Sequence, residues 1–148
     1  DMDDLAASHL SKGGQFWVVE ATPANAAEVE YAGCVGCKRV DDQLTELHRL
    51  SVSPAHRRKG LARQLVQAVE TWVQEKVFIA LFLTTWPPRG CPGTAASSDL
   101  YSKTGFEVIQ QGSPGPRVFV KAMQLSQSTA SLPAQLRDAP RLMEIAKS

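Results

Sequence analysis

Residues 47–73 constrain this chain more than any other stretch. An alternating segment, Leu47-His48-Arg49-Leu50-Ser51-Val52, stops at Pro54. A short basic loop, Ala55-His56-Arg57-Arg58-Lys59-Gly60, comes next. Apolar residues then recur at helical spacing through Leu61, Leu65, Val69, Trp72 and Val73. The first amides of a helix have no intrahelical acceptor, and the helix dipole leaves that end partly positive. A glycine that admits close approach, flanked by cations, makes this strand–loop–helix a cradle for a diphosphate. It lacks both the Gly-x-x-x-x-Gly-Lys-Ser/Thr of a nucleotide phosphate loop and the Gly-x-Gly-x-x-Gly of a dinucleotide turn. The net charge is only +1, so the Arg57-Arg58-Lys59 cluster is a local anion site on a balanced surface. No aromatic residues interleave it, and nucleic acid is not expected as a partner.

The remaining residues read as one globular domain. The chain has 148 residues, 43% hydrophobic and 21% charged, too apolar for a disordered segment. Strands are expected over 15–20, 28–40 and 44–52, with glycines in the second hinting at a bulge or close backbone approach. The apolar run 77–85 reads as an interior strand. A Pro/Gly loop over 86–93 precedes a second helix, 94–103, stopped by Gly105. Two closing strands, 106–111 and 117–124, flank the turn 112–116. Residues 1–124 form the core by this reading, and 125–148 a tail ending in a weakly amphipathic segment, 133–147. No apolar run approaches the ~20 residues that span a bilayer. The chain opens on Asp1 rather than Met, as a fragment or processed form would, and is expected to be intracellular and cytoplasmic. Three cysteines cannot all pair, which favours a reduced compartment. In a regular strand Cys34 and Cys37 point to opposite faces, and no second cysteine pair accompanies them, so no metal is expected.

Two motifs give the chemistry a family. Arg57-Arg58-Lys59-Gly60-Leu61-Ala62 fits Arg/Gln-x-x-Gly-x-Gly/Ala, and Leu100-Tyr101-Ser102-Lys103-Thr104-Gly105-Phe106 fits Leu-Tyr-x-x-x-Gly-Phe. The chain therefore resembles the GNAT acetyltransferase superfamily over residues 15–124, most specifically over 44–106. Phe16-Trp17-Val18 and Arg49-Leu50-Ser51-Val52 look most like its camello-like branch, which includes N-acetylaspartate synthases. The resemblance implies an α/β fold with a mixed, mostly antiparallel sheet flanked by helices, its N-terminal part truncated so that only residues 3–10 remain of a lid helix. It implies acetyl-CoA as co-substrate, no metal, and direct transfer to a primary amine on an amino acid, a cysteine conjugate or a protein lysine. A longer form would carry a membrane anchor of the ER type, and the protein would be a monomer or dimer.

By the same resemblance, Arg57, Arg58, Lys59, Gly60, Leu61 and Ala62 hold the diphosphate. The backbone amides of Leu50, Ser51 and Val52 hold the acetyl carbonyl and pantetheine. Thr94 stands where the family commonly has the asparagine that bonds the pantetheine. Tyr101 matches the tyrosine that protonates the departing sulfur, against the alternative that it only packs. At reference values of ~10 for the phenol and ~8.5 for a thiol, its proton is available at neutral pH. Glu46, eleven residues before Arg57, resembles a general-base glutamate, against a solvent-facing strand charge. A carboxylate needs burial or a water relay to serve an amine. His48, of a type with reference pKa ~6.5, competes for that role, against a merely hydrogen-bonded strand histidine. Glu46, His48, Leu50 and Val52 are expected on one face of the strand. Arg89 could meet an anionic acceptor or lie in a surface loop. The competing function is a catalytically silent CoA-binding regulatory or interaction domain, which would keep the same phosphate loop.

Overall fold

The computed structural model describes residues 13–22, 28–85, 100–111, 116–124 and 128–147. Helix α1 (Leu61–Glu75) forms where the apolar stripe runs. Leu65, Val66, Val69 and Val73 are buried, while Arg63, Gln64 and Gln67 face solvent. Its end departs from expectation. Val77 N–H bonds the Gln74 carbonyl at 3.1 Å and Phe78 N–H the Val73 carbonyl at 3.2 Å, a paired C-cap that requires the first of the two donor residues to be left-handed. That residue is Val77, with φ 64° and 67% of its surface exposed, while Phe78 turns inward to seal the cap. The strand expected from residue 77 therefore starts only at Ala80, because residues 77–78 are spent on stopping the helix.

A left-handed L-residue costs about 1–2 kcal/mol, and glycine there gives back about 0.4–1 kcal/mol through a looser unfolded chain. Val77→Gly should therefore stabilise the protein by roughly 0.5–1 kcal/mol. The expected reading is a higher urea midpoint at unchanged slope; an equal or lower midpoint would show the cap to be unstrained.

The strands are β1 (Gln15–Ala21), β2 (Glu30–Arg39), β3 (Leu44–Val52), β4 (Ala80–Thr85), β5 (Glu107–Gln111) and β6 (Arg117–Ala122). Hydrogen-bonded neighbours run β1-β2-β3-β4-β6-β5. The β1/β2, β4/β6 and β5/β6 pairs are antiparallel, and β3/β4 is parallel, a mixed and mostly antiparallel sheet as the resemblance implied. Contacts divide the chain into two compact units, Asp1–Arg39 with Leu47–Trp72, and Val40–Glu46 with Val73–Ser148.

In the first unit, β1 and β2 keep an even register from Gln15↔Cys37 to Val19↔Gly33, then shift between Val19 and Glu20. Cys34 and Cys37 thus lie in regular strand on opposite faces, and both are buried. Among the described residues, no three His, Cys, Asp or Glu side chains converge as a metal set. Trp17 of β1 meets Trp72 of α1 edge to face, with ring centroids 6.0 Å apart.

In the second unit, Asp41 Oδ1 accepts the N–H groups of Gln43 and Leu44 at 2.8 and 2.9 Å, a turn that launches β3. Leu44, Ala80, Phe82, Val118 and Val120 form a buried cluster. The residues past 128 complete it. Leu132 and Leu136 hang from two 3-10 turns, and Ala139 and Leu142 from helix α2 (Ala139–Ala146), all within the same cluster. Each such leucine contributes about 1.5–3 kcal/mol of burial. Asp138 caps α2 by accepting the Arg141 N–H at 3.3 Å. Among the described residues, no helix is long and apolar enough to cross a membrane.

Candidate active site

The basic loop is built as the sequence suggests. After β3, Pro54–His56 forms a 3-10 turn. Ser53 N–H bonds the Ala32 carbonyl at 2.8 Å, and His56 Nε2 lies 2.6 Å from Glu30 Oε1, so β2 anchors the turn twice. Arg57 Nε donates to the Val52 carbonyl at 3.1 Å, which makes Arg57 a brace for the loop. Arg58 and Gly60 are left-handed, at φ 64° and 77°. Nothing lies within 4 Å of where a Gly60 Cβ would stand, so the glycine is there for its backbone angle and for open approach. Gln64 N–H bonds the Gly60 carbonyl at 3.1 Å. Leu61, Ala62 and Arg63 therefore open α1 ahead of any intrahelical acceptor. The first turn holds no acidic residue, and Arg58 and Lys59 are exposed beside it. Positive charge, free approach and amides without an intrahelical acceptor coincide on one short segment.

The strand feeding this loop carries a feature that sequence reasoning missed. Arg49, mid-strand in β3, is left-handed at φ 57°. Such a residue kinks the strand locally, yet burial keeps alternating past it, with His48, Leu50 and Val52 half-buried and Arg49 and Ser51 exposed. Strand β2 holds the kink. Cys34 Sγ donates to the Arg49 carbonyl at 3.4 Å, and the Tyr31 hydroxyl donates to Cys34 Sγ at 3.5 Å. Burial and the Cys34 contact push the Tyr31 phenol up, with a hydrogen bond to Ser51 pulling the other way. A Cβ on Gly33 would meet the Ser51 carbonyl oxygen at 2.8 Å and Leu65 Cδ1 at 3.3 Å. The glycine-rich composition of β2 was the available signal; the partner at Ser51 was not. His48, half-buried, also lies in this unit, as do Leu50, Ser51 and Val52.

Glu46 and Tyr101 belong to the second unit. Glu46 is 7% exposed, so a solvent-facing strand charge is excluded. It pairs laterally with Phe82, the last rung of a ladder of Leu44↔Ala80, Thr45↔Leu81 and Glu46↔Phe82. Residues 100–103 are helical, and the Leu-Tyr-x-x-x-Gly-Phe motif proves to be a helix stop. Phe106 N–H bonds the Tyr101 carbonyl at 3.0 Å and Gly105 N–H the Ser102 carbonyl at 3.3 Å, with Gly105 at φ 94°. The apolar contact that goes with such a cap is Tyr101 against Phe106, centroids 5.7 Å apart. Phe119 lies 5.5 Å from Tyr101 on another side, and Lys121 Nζ donates to the Thr104 carbonyl at 2.6 Å. Tyr101 is 5% exposed, and burial pushes its phenol up to about 12. Thr94 and Arg89 lie outside the described residues.

The sequence profile of the family described as "Acetyltransferase (GNAT) domain" matches residues 12–108. The chain belongs to the GNAT acetyltransferase family. Among curated relatives, this GNAT chain is 33% identical over 119 residues to N-acetyltransferase 8 of Homo sapiens, covering 75% of the chain and 47% of that protein. It is 34% identical over 111 residues to N-acetyltransferase 8 of Rattus norvegicus, covering 71% and 47%. The chain thus spans about half the length of the curated relatives it matches, and the camello-like branch is borne out. Among solved structures, a GNAT-family acetyltransferase from Staphylococcus aureus superposes with TM-score 0.67 at 19% identity, over 82% of this chain and 75% of that one. A GNAT acetyltransferase from Elizabethkingia anophelis with acetyl-CoA bound gives 0.57 at 18% identity, over 79% and 80%. Identities this low speak for the fold alone.

Proposed function

We propose that this chain moves the acetyl group of acetyl-CoA directly onto a primary amine. The observation that carries the reading is the loop: left-handed Arg58 and Gly60 lead into a helix whose first amides lack intrahelical acceptors, beside exposed Arg58 and Lys59. These residues suit a diphosphate. Acetyl-CoA supplies the activated acyl group, and this chain's residues hold it and move protons around it. The loop and the amides of Leu61 and Ala62 bind the diphosphate. The backbone of Leu50, Ser51 and Val52 presents donors to the carbonyl oxygen as it gains negative charge, a role worth ~2.7–4 kcal/mol per donor. Glu46 or His48 takes the proton from the incoming ammonium. The amine nitrogen then bonds the acetyl carbon, the carbon–sulfur bond breaks toward Tyr101, and the second proton of the nitrogen leaves through solvent to the departing thiolate. Cys34 and Cys37, buried and not joined in a disulfide, fit an intracellular, reducing setting.

The raised phenol sharpens the part given to Tyr101. Full transfer from a group near 12 to a thiolate of ~8.5 runs uphill by ~3.5 units, about 5 kcal/mol. Tyr101 acts best as a hydrogen-bond donor to the sulfur while the bond lengthens.

Tests of the binding and base roles follow from placement. Replacing Lys59 with Ala and Arg58 with Asn, which tolerates the left-handed backbone, should raise the acetyl-CoA KM about tenfold, ~1.4 kcal/mol. The increase should grow as salt is lowered and kcat should stay within about twofold; an unchanged KM removes the loop from cofactor binding. For the base, kcat/KM profiles of Glu46→Gln and His48→Gln against pH decide. The pH limb set by the base disappears in one variant and survives in the other; survival in both rejects the pair. The acetyltransferase reading as a whole stands or falls on release of CoA thiol that depends on added amine, and a silent CoA-binding domain would show none.

A further inference from the structure

The second unit holds a cavity of about 460 Å³ walled by Thr84, Pro116, Pro140, Met143 and Ala146, within the range of small-molecule sites. Every wall but Thr84 comes from residues beyond the stretch that matches the family profile, 12–108, so this pocket belongs to the chain's own C-terminal segment. Glu46, a candidate catalytic group, does not line the cavity, but strand register puts it on the same sheet face as Thr84, which does. Leu44, Ala80 and Phe82 share one buried cluster and hence one sheet face. Glu46 is two residues beyond Leu44, and Thr84 two beyond Phe82, so both side chains belong to that face. Glu46 pairs with Phe82, and Thr84 follows about 7 Å further along β4. The two Cα atoms are therefore about 8 Å apart, within reach of a glutamate and a small amine.

We propose that this cavity is the acceptor subsite and takes a primary amine with an apolar body, its ammonium directed at Glu46. The inference rests on the acetyltransferase reading and adds the acceptor class to it. The lining is apolar except for the Thr84 hydroxyl and a Lys147–Glu144 ion pair at 3.0 Å; the paired charges offset each other, so the pocket selects by shape and apolarity. Two prolines in the wall keep it preformed. Helix α2, buried on the cluster through Leu142, is then a specificity element as well as a structural one.

The test uses the whole chain with two probes, ethylamine and phenethylamine, and reads binding and turnover separately. Titration calorimetry should detect phenethylamine binding to the wild type, weakened at least tenfold by Ala146→Trp or, independently, Thr84→Tyr, both of which fill the cavity. With acetyl-CoA present, kcat/KM should favour phenethylamine over ethylamine by at least tenfold in the wild type, and that ratio should collapse in the filled variants. Turnover of both amines without preference, or a preference that survives both substitutions, overturns the subsite and leaves acetyl transfer standing. Phenethylamine binding lost in the filled variants, with no amine releasing CoA thiol, supports the pocket and overturns acetyl transfer instead. Absence of phenethylamine binding overturns the subsite whatever the turnover.

Discussion

Tyr101→Phe should lower kcat about 100-fold while leaving the acetyl-CoA KM within about twofold. The substitution suits the question because the ring is held by Phe106 and Phe119 at 5.7 and 5.5 Å. Phenylalanine keeps that packing and deletes only the hydroxyl. General acid groups contribute 10²–10⁴-fold, and a hydrogen bond to a charged partner about 1.5–3 kcal/mol. A phenol pushed up to about 12 belongs at the lower end of the first range, which the second also reaches. Unchanged kcat would reduce Tyr101 to a packing residue. The same shift has a pH signature. Below pH ~10 the phenol is neutral in both folded and unfolded chains, and its contribution to stability is constant. Between ~10 and 12 only the unfolded chain ionises, so stability falls as pH rises, by at most about 3 kcal/mol. Wild-type turnover should likewise show no decline from Tyr101 ionisation at or below pH 10, whereas an ordinary tyrosine would already be half ionised there.

Gly33→Ala should cost about 1–3 kcal/mol of stability and lower kcat at least tenfold in the protein that remains folded. The added Cβ would lie 2.8 Å from the Ser51 carbonyl oxygen, and 3.3 Å from Leu65 Cδ1. The leucine tip can turn aside, but the backbone oxygen cannot move without β3. Residues 50–52 then shift, and with them the amides proposed to meet the acetyl carbonyl. A donor lost from such a site costs ~2.7–4 kcal/mol, so partial misalignment gives the tenfold estimate. Gly60→Ala is the contrasting case. It meets no protein atom within 4 Å, so its cost in stability is only the strain of the left-handed angle, about 1–2 kcal/mol. Denaturant midpoints and kcat per folded molecule separate the two glycines; equal, mild effects would mean that the approach of β2 to Ser51 constrains nothing.

What the sequence reveals depends on how local the cause is. The basic loop and its helix are legible because a strand end, a glycine and a helix stripe are all short-range signals, and residues 54–75 follow them closely. The helix stop at Gly105 is legible for the same reason. Val77 and Arg49 show the opposite. Both are left-handed positions occupied by residues that disfavour them, so nothing local announces them. Their causes are tertiary: Phe78 sealing the helix end in one case, Cys34 holding the Arg49 carbonyl in the other. The segment past residue 128 reads as weakly amphipathic because its anchors, Leu132, Leu136 and Leu142, hang from two turns and a helix and have no common period. Only the apolar face of β4 and β6 gives them a shared purpose. Glu46 is a middle case. Its alternation marked a face correctly, but burial came from the cluster around Leu44 and Phe82, which no window of sequence contains.

The most direct test of the central claim is a thiol-release assay run with the whole chain, acetyl-CoA and a panel of primary amines, with the N-acetylated products quantified alongside. CoA thiol should appear in proportion to N-acetyl amine, one for one, and should depend on the amine added. CoA binding without amine-dependent thiol release across the panel would contradict acetyl transfer and leave a CoA-binding domain in its place.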